Sequence, residues 1–395
     1  MKSTSTRRQR LCLALAAAVL AGTTGLAQAA TLKIGMILPM SGPFSSYGQQ
    51  ILNGARLYLS EKGNTLGERP VEIIVRDDTG VAPERSKRAA QELVTQDKVD
   101  ILAGFGMTPS GFAVAPISAA AKKPMVIMNA ATSAITEKSP YIVRTSMTLP
   151  QTTAPLATWA ASHGIHTAYT LVADFGPGHD AEKQFIRTFT EAGGKVAGSV
   201  RTPVSNPDFA PFLQKIKDVK PDAVFLFVPA GEQGVAFLKG YRERGLAAAG
   251  IRLISTGDLT DEDVLDAMGD AAVGIVTSMQ YSQAHDSALN QAYTKAYRQA
   301  YPDRRPNFMS VAGYDGMHLI DEVLKKTGGD ATGDRFIEAA KGLKLESPRG
   351  MITISPTTRD IVQTIYIREV KKVDGTLQNV EFDRYADVED PGKAQ

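Results

Sequence analysis

The chain of 395 residues holds a single cysteine, Cys12, inside an N-terminal stretch that reads as a leader. No small residues precede it in the manner of a lipid-anchor site. Beyond that stretch there is no disulfide and no thiol nucleophile. Long apolar runs are also missing: the most apolar one, Leu11–Leu20, is too short to cross a membrane. It lies between Lys2, Arg7, Arg8 and Arg10 on one side and the small-x-small triplet Ala27-Gln28-Ala29 on the other. This is the pattern of a secretory signal peptide over residues 1–29, cleaved after Ala29 or Ala30. An excess of charge is lacking too. The leader carries four of the 44 Lys+Arg and none of the 42 Asp+Glu, so the remainder is slightly acidic. Neither nucleic acid nor an anionic membrane is indicated as a partner.

Templates for catalysis are equally scarce. Gly104-x-Gly106 runs into Pro109 instead of a third glycine, so the dinucleotide fingerprint is incomplete. There is no phosphate-loop Gly-x-x-x-x-Gly-Lys and no Gly-x-Ser-x-Gly elbow. Of the five histidines only His163 and His166 are near neighbours, and they read as surface residues at a helix end rather than metal ligands. The acid pairs Asp77-Asp78 and Asp261–Asp263 follow strands or open helices, where carboxylates satisfy caps and helix dipoles. No catalytic residue, metal site or cofactor is expected.

What the chain does have is a rhythm of short apolar strands and helices. Thr31–Leu38, Val71–Arg76, Ile101–Ala103 and Pro124–Met128 read as strands, with helices over Ile51–Lys62, Pro83–Thr95 and Ala113–Ala121. From Leu149 the rhythm repeats, with strands at Thr167–Val172, Val196–Val200, Ala223–Val228 and Ile251–Ser255. About 365 residues exceed what one core usually organises, so two α/β lobes with parallel sheets are expected. Helices over Leu289–Tyr301, Ser310–Thr327 and Gly333–Lys341 and strands over Met351–Ile354 and Ile361–Val370 would complete sheets begun earlier. The chain would then cross between lobes near Arg144–Thr148, Val276–Met279 and Thr353–Pro356, each crossing a hinge.

The stretch Ile101–Thr136 organises the first lobe. Its strands end in Gly104, Gly106, Thr108 and Ser110, and in Ala130, Ala131, Thr132 and Ser133. Side-by-side loops of small and hydroxyl residues at the carboxyl ends of parallel strands suit a small anion, a carboxylate above all. Taken singly, each loop is equally what turns and caps require.

Thr31–Arg56, with its apolar strand, Met40-Ser-Gly-Pro43, Tyr47-Gly48 and Asn53-Gly-Ala-Arg56, resembles the opening of periplasmic solute-binding proteins of the leucine/isoleucine/valine-binding type. Asp77-Asp78, Ala130-Ala131-Thr132, Asp208-Phe209 and Gly269-Asp270-Ala271-Ala272 extend the resemblance along the chain. It implies two Rossmann-like lobes joined by three crossovers: residues 30–146 with 278–355, and 147–277 with 356–395. It also implies a monomeric periplasmic receptor that closes on a solute and delivers it to the permease of an ABC transporter. By the same resemblance Tyr47 lines the pocket, Thr108 or Ser110 and Thr132 hold a ligand carboxylate, and Ala130 and Ala131 give backbone contacts. Phe175 would close over the ligand from the second lobe.

Departures from the pattern bear on the ligand. Where amino-acid binders carry an acid for the ligand's ammonium, this chain reads Ser255-Thr-Gly-Asp258, and Pro229 stands in place of an aromatic. These changes favour a small aromatic carboxylate, with a branched-chain or other amino acid as the alternative. Asp258 would then hold either an ammonium or a ring hydroxyl. A sensory module shares this fold and site, and a secreted enzyme would need a nucleophile or acid–base set.

Overall fold

The computed structural model describes residues 30–393. The leader expected over residues 1–29 therefore lies outside the described residues. The chain builds two twisted sheets with helices on both faces.

The first sheet begins with β1 (Leu32–Leu38), a central strand apolar except for Lys33, followed by α1 (Ser45–Glu61), the two-residue β2 (Thr65–Leu66) and β3 (Arg69–Asp77). Next come α2 (Pro83–Thr95), β4 (Ile101–Gly104), α3 (Thr108–Ala121), β5 (Met125–Ile127) and β6 (Ile142–Arg144). The strand order is β2-β3-β1-β4-β5-β6, parallel except for the β2–β3 hairpin. The order reverses direction at β1, so the loops after β1 and β4 diverge and leave a crevice at their carboxyl ends.

After residues 145–148 the chain enters the second sheet. Here α4 (Leu149–Ser162), β7 (Thr167–Ala173), α5 (Gly176–Glu191), β8 (Lys195–Thr202), α6 (Ala210–Val219) and β9 (Ala223–Phe227) follow in turn. They are succeeded by α7 (Glu232–Glu243), β10 (Arg252–Thr256), the single turn α8 (Leu265–Met268) and β11 (Val276–Met279). The parallel part runs β8-β7-β9-β10-β11, with its own switch point between β7 and β9.

The remainder serves both halves. α9 (Ala288–Ala300), α10 (Phe308–Thr327) and α11 (Gly333–Ala340) return to the first sheet. α10 presses on α1 backbone to backbone: a Cβ added at Gly313 would stand 2.1 Å from the carbonyl oxygen of Ile51. The antiparallel strands β12 (Lys344–Ser347), β13 (Gly350–Ile354), β14 (Ile361–Val373) and β15 (Thr376–Val388) complete the second sheet, with β14 beside β11.

Two expectations change. Val276–Met279 is not a hinge: it is β11, paired to β10 on one side and β14 on the other, and the chain leaves the sheet only after Met279. The C-terminal segment Thr376–Val388, which carries no clear strand periodicity in the sequence, is a thirteen-residue strand. Among the described residues no helix is long and apolar enough to cross a membrane.

Candidate functional site

The two switch points face each other, and between them lies a small cavity. From the first half come Tyr47 in the first turn of α1, Gly106, Met107 and Thr108 after β4, and Asn129, Ala130 and Ala131 after β5. Met147 and Leu149 line it from the first crossover. The second half supplies Phe175 and Pro177 after β7, Phe227 and Pro229 at the end of β9, and Asp258 after β10. The walls are mainly apolar, and Phe175 stacks on Phe227 with ring centroids 6.0 Å apart and 17° between planes.

The polar groups are few and local. The hydroxyls of Thr108 and Thr132 lie 3.1 Å apart. Thr108 is the first residue of α3 and Gly176 the first of α5, so two helix N-termini open on this corner. First-turn N–H groups have no partner within their helix and carry the positive end of its dipole. The corner can therefore hold an anion with hydroxyl and backbone donors, without a cationic side chain. Beneath it, the buried guanidinium of Arg144 donates to the carbonyl of Thr132 at 2.7 Å and fixes the loop.

On the opposite wall Tyr47 donates from its hydroxyl to the carbonyl of Ala230 at 3.2 Å, tying the two halves across the cavity. Burial first, then the nearby charges of Asp258 and Asp261, push the Tyr47 phenol well up, so it remains a donor. Asp258 is raised to about 6 by burial, an effect moderated by the hydroxyl of Thr256, which donates to its Oδ2 at 2.8 Å, and by the charge of Arg368. Among the described residues no cluster of three or more acids or histidines is placed to hold a metal ion.

Of the residues read from the sequence, Tyr47, Thr108, Ala130, Ala131, Phe175, Pro229 and Asp258 line this one cavity. Thr132 is not part of the lining itself, but its hydroxyl meets that of Thr108. Ser110 needs a correction. One half-turn into α3 it is fully buried, and its hydroxyl bonds to the Asp78 carboxylate and lies 2.7 Å from the Ser86 hydroxyl. It holds α2 and α3 to the end of β3 and cannot reach a ligand.

Asn129, Met147, Pro177 and Phe227 were missed. Asn129 directly precedes Ala130-Ala131-Thr132 and donates to the carbonyl of Gly106 at 2.7 Å, while among the described residues its side-chain oxygen has no partner. Phe227 closes the apolar run Ala223–Phe227, where nothing in the sequence separates a pocket wall from core.

Comparisons with known proteins agree with this geometry. The sequence profile of the periplasmic binding protein family matches residues 31–376. A Leu/Ile/Val-binding protein homolog 6 of Brucella melitensis is 43% identical over 383 residues, covering 96% of this chain and 98% of that relative. Two crystal structures superpose with a TM-score of 0.89, each covering 92% of this chain and 99% of the other. One, 52% identical, is a solute-binding protein of an ABC transporter from Rhodopseudomonas palustris BisB5 in complex with 3,4-dihydroxybenzoic acid. The other, 44% identical, is an ABC-transporter solute-binding protein of R. palustris in complex with 4-hydroxybenzoate.

Proposed function

The chain belongs to the periplasmic binding protein family, and from that premise we propose that it captures a small aromatic carboxylate between its lobes for an ABC importer. The observation that carries this reading is the pairing of an anion-holding corner with flat apolar walls. Thr108, Thr132 and the starts of α3 and α5 supply donors for a carboxylate. Tyr47, Phe175, Phe227, Pro177 and Pro229 bound a slot for a ring. The aromatic acids held by the two R. palustris proteins support the same chemistry.

The mechanism is closure driven by differential affinity. The ligand touches both halves only when they are together, so it stabilises the closed form by the contacts that the open form lacks. Tyr47–Ala230 and the meeting of Gly176 with Thr132 are such contacts. The family consists of receptors of ABC transporters, and the cavity lining brings no nucleophile next to a base. The chain acts without catalysis, in the periplasm once its leader is removed, and releases its cargo to permease subunits as a monomer.

A second reading, an amino-acid ligand, is favoured by the carboxylate of Asp258 in the lining and by the Brucella relative's name. A thermal-shift panel on the chain from Ala30, unfolded and refolded to strip carried-over ligand, separates the two. A ligand at a hundred times its dissociation constant adds about 2.7 kcal/mol. Benzoate-type acids are expected to raise the midpoint; a response to leucine or valine alone would reverse the assignment.

A further inference from the structure

Asp258 is the one charged residue in the lining, and it faces apolar walls from the lobe opposite the anion corner. A cation stands behind it, shared with other acids: Arg368 faces Glu262, Glu381 and Asp261 as well as Asp258. The guanidinium of Arg368 lies fully buried under the Gly257–Asp258 backbone, so close that a Cβ added at Gly257 would fall 2.1 Å from Arg368 Nη2. Arg368 is anchored there by bonds to the carbonyl of Tyr281 and, at 3.2 Å, to the hydroxyl of Thr277. A side chain at 257 would push on both Arg368 and Met279, so glycine there lets the guanidinium lie under this turn.

An ammonium entering this corner would be desolvated against a single carboxylate that already has the Arg368 cation behind it. A neutral O–H has no such penalty. It needs only a strong acceptor, and an ionised carboxylate backed by a guanidinium is one. Among the described residues the Thr256 hydroxyl, on Oδ2, makes the only side-chain hydrogen bond to Asp258. The second oxygen is thus free of side-chain donors.

Resting on the aromatic-carboxylate reading, we propose that Asp258 is the acceptor for a phenolic hydroxyl across the ring from the ligand's carboxylate, so that the preferred solutes are hydroxylated aryl acids. Asp258 then sets specificity rather than overall capture. Thr108, Thr132 and the helix starts take any aryl carboxylate, and Asp258 selects those with a ring donor. Rejection is built in as well: an aryl acid without the donor leaves the buried carboxylate short of a partner, and an aryl ether meets oxygen with oxygen.

The test is isothermal titration of the refolded chain with benzoate, 4-hydroxybenzoate, 4-methoxybenzoate and leucine, for the wild type, Asp258→Asn and Asp258→Ala. The wild type should hold 4-hydroxybenzoate about tenfold or more tighter than benzoate, and 4-methoxybenzoate weaker than either. In both variants the ratio of 4-hydroxybenzoate to benzoate affinity should collapse toward unity. Asp258→Asn keeps the shape of the site, and the benzoate titration reports that each variant is folded. If benzoate binds but 4-hydroxybenzoate has no advantage, or keeps its advantage in both variants, the role of Asp258 is overturned while the aromatic reading stands. If leucine binds tightly to the wild type and loses affinity in Asp258→Asn, Asp258 is an ammonium partner. Absence of binding by every aryl acid overturns the aromatic reading itself.

Discussion

Gly176 and Thr132 meet across the lobes so closely that a Cβ on the glycine would lie 2.7 Å from the threonine Oγ1. Such a separation is well inside normal contact, so closure requires a bare Cα at the start of α5. Gly176→Ala should lower affinity for the aromatic acid by about tenfold or more, because one lobe must stand off from the other. The unliganded thermal midpoint should move little, since open lobes do not make this contact. Unchanged affinity in calorimetry would show that the lobes bind without approaching this far.

The Tyr47 hydroxyl reaches the carbonyl of Ala230 and belongs to the closed form in the same way. A net hydrogen bond of this kind contributes about 0.5–1.5 kcal/mol. Tyr47→Phe keeps the ring wall and removes the tie, so affinity should fall about two- to tenfold, mainly through faster ligand release. Stopped-flow release rates would check this; a slower association with unaltered release would place Tyr47 on the entry path instead.

Asp258 and Asp261 both have carboxyls raised by burial, Asp258 to about 6, and Asp261 also by the charge of Asp263. Asp261 accepts from Asn307 at 3.1 and 3.0 Å, and Asp263 pairs with Arg304 at 3.1 Å, so the loop after β10 is clasped to the segment entering α10. A carboxyl raised on folding binds its proton more tightly folded than unfolded. Its contribution is fully present below the ordinary value of 3.8 and is lost as pH rises through the folded value. For Asp258 that is a loss on the order of 3 kcal/mol between about pH 4 and pH 6. Asp258→Asn should therefore stabilise the closed, benzoate-bound protein at pH 7.5 and do so much less at pH 4.5. An equal effect on the thermal midpoint at both pH values would mean that Asp258 stays hydrated when the lobes close.

The elements of the first lobe were legible because βα alternation is local. Ile101–Gly104 and Met125–Ile127 carry their burial in their own composition, and the small residues after them mark the crevice. What was not legible depends on distant partners. β11 looks like a crossing until β14, some ninety residues later, pairs with it. β15 escapes a period-two reading because much of it is exposed and bulges interrupt its pairing with β14. Ser110 and Thr108 are the same kind of residue two positions apart. Their roles diverge because α3 turns one toward the cavity and the other toward Asp78, a partner 32 residues away in sequence.

Arg144 and Asp360 join the first and third crossovers. Their Nε and Oδ1 atoms lie 2.9 Å apart with side chains 0% and 2% exposed. The contact is ionic rather than a directed hydrogen bond, for neither atom has a well-aligned partner. Arg144 also donates to the carbonyls of Met147 and Thr132, and Asp360 accepts from Thr136, so one buried pair fixes both the hinge and the loop that holds the anion corner. Asp360 also has Lys393 at 3.3 Å, so losing Arg144 leaves it one cation and should cost less than the about 3–5 kcal/mol of a fully stranded buried charge. Arg144→Met should therefore lower the thermal midpoint by several degrees and weaken ligand binding through Thr132. Asp360→Asn removes the opposite charge, so the double variant should be less destabilised than the sum of the two. Denaturant titrations of the four proteins give the coupling directly. Strict additivity would mean that the pair is incidental, and that the hinge is set by the carbonyl bonds of Arg144 alone.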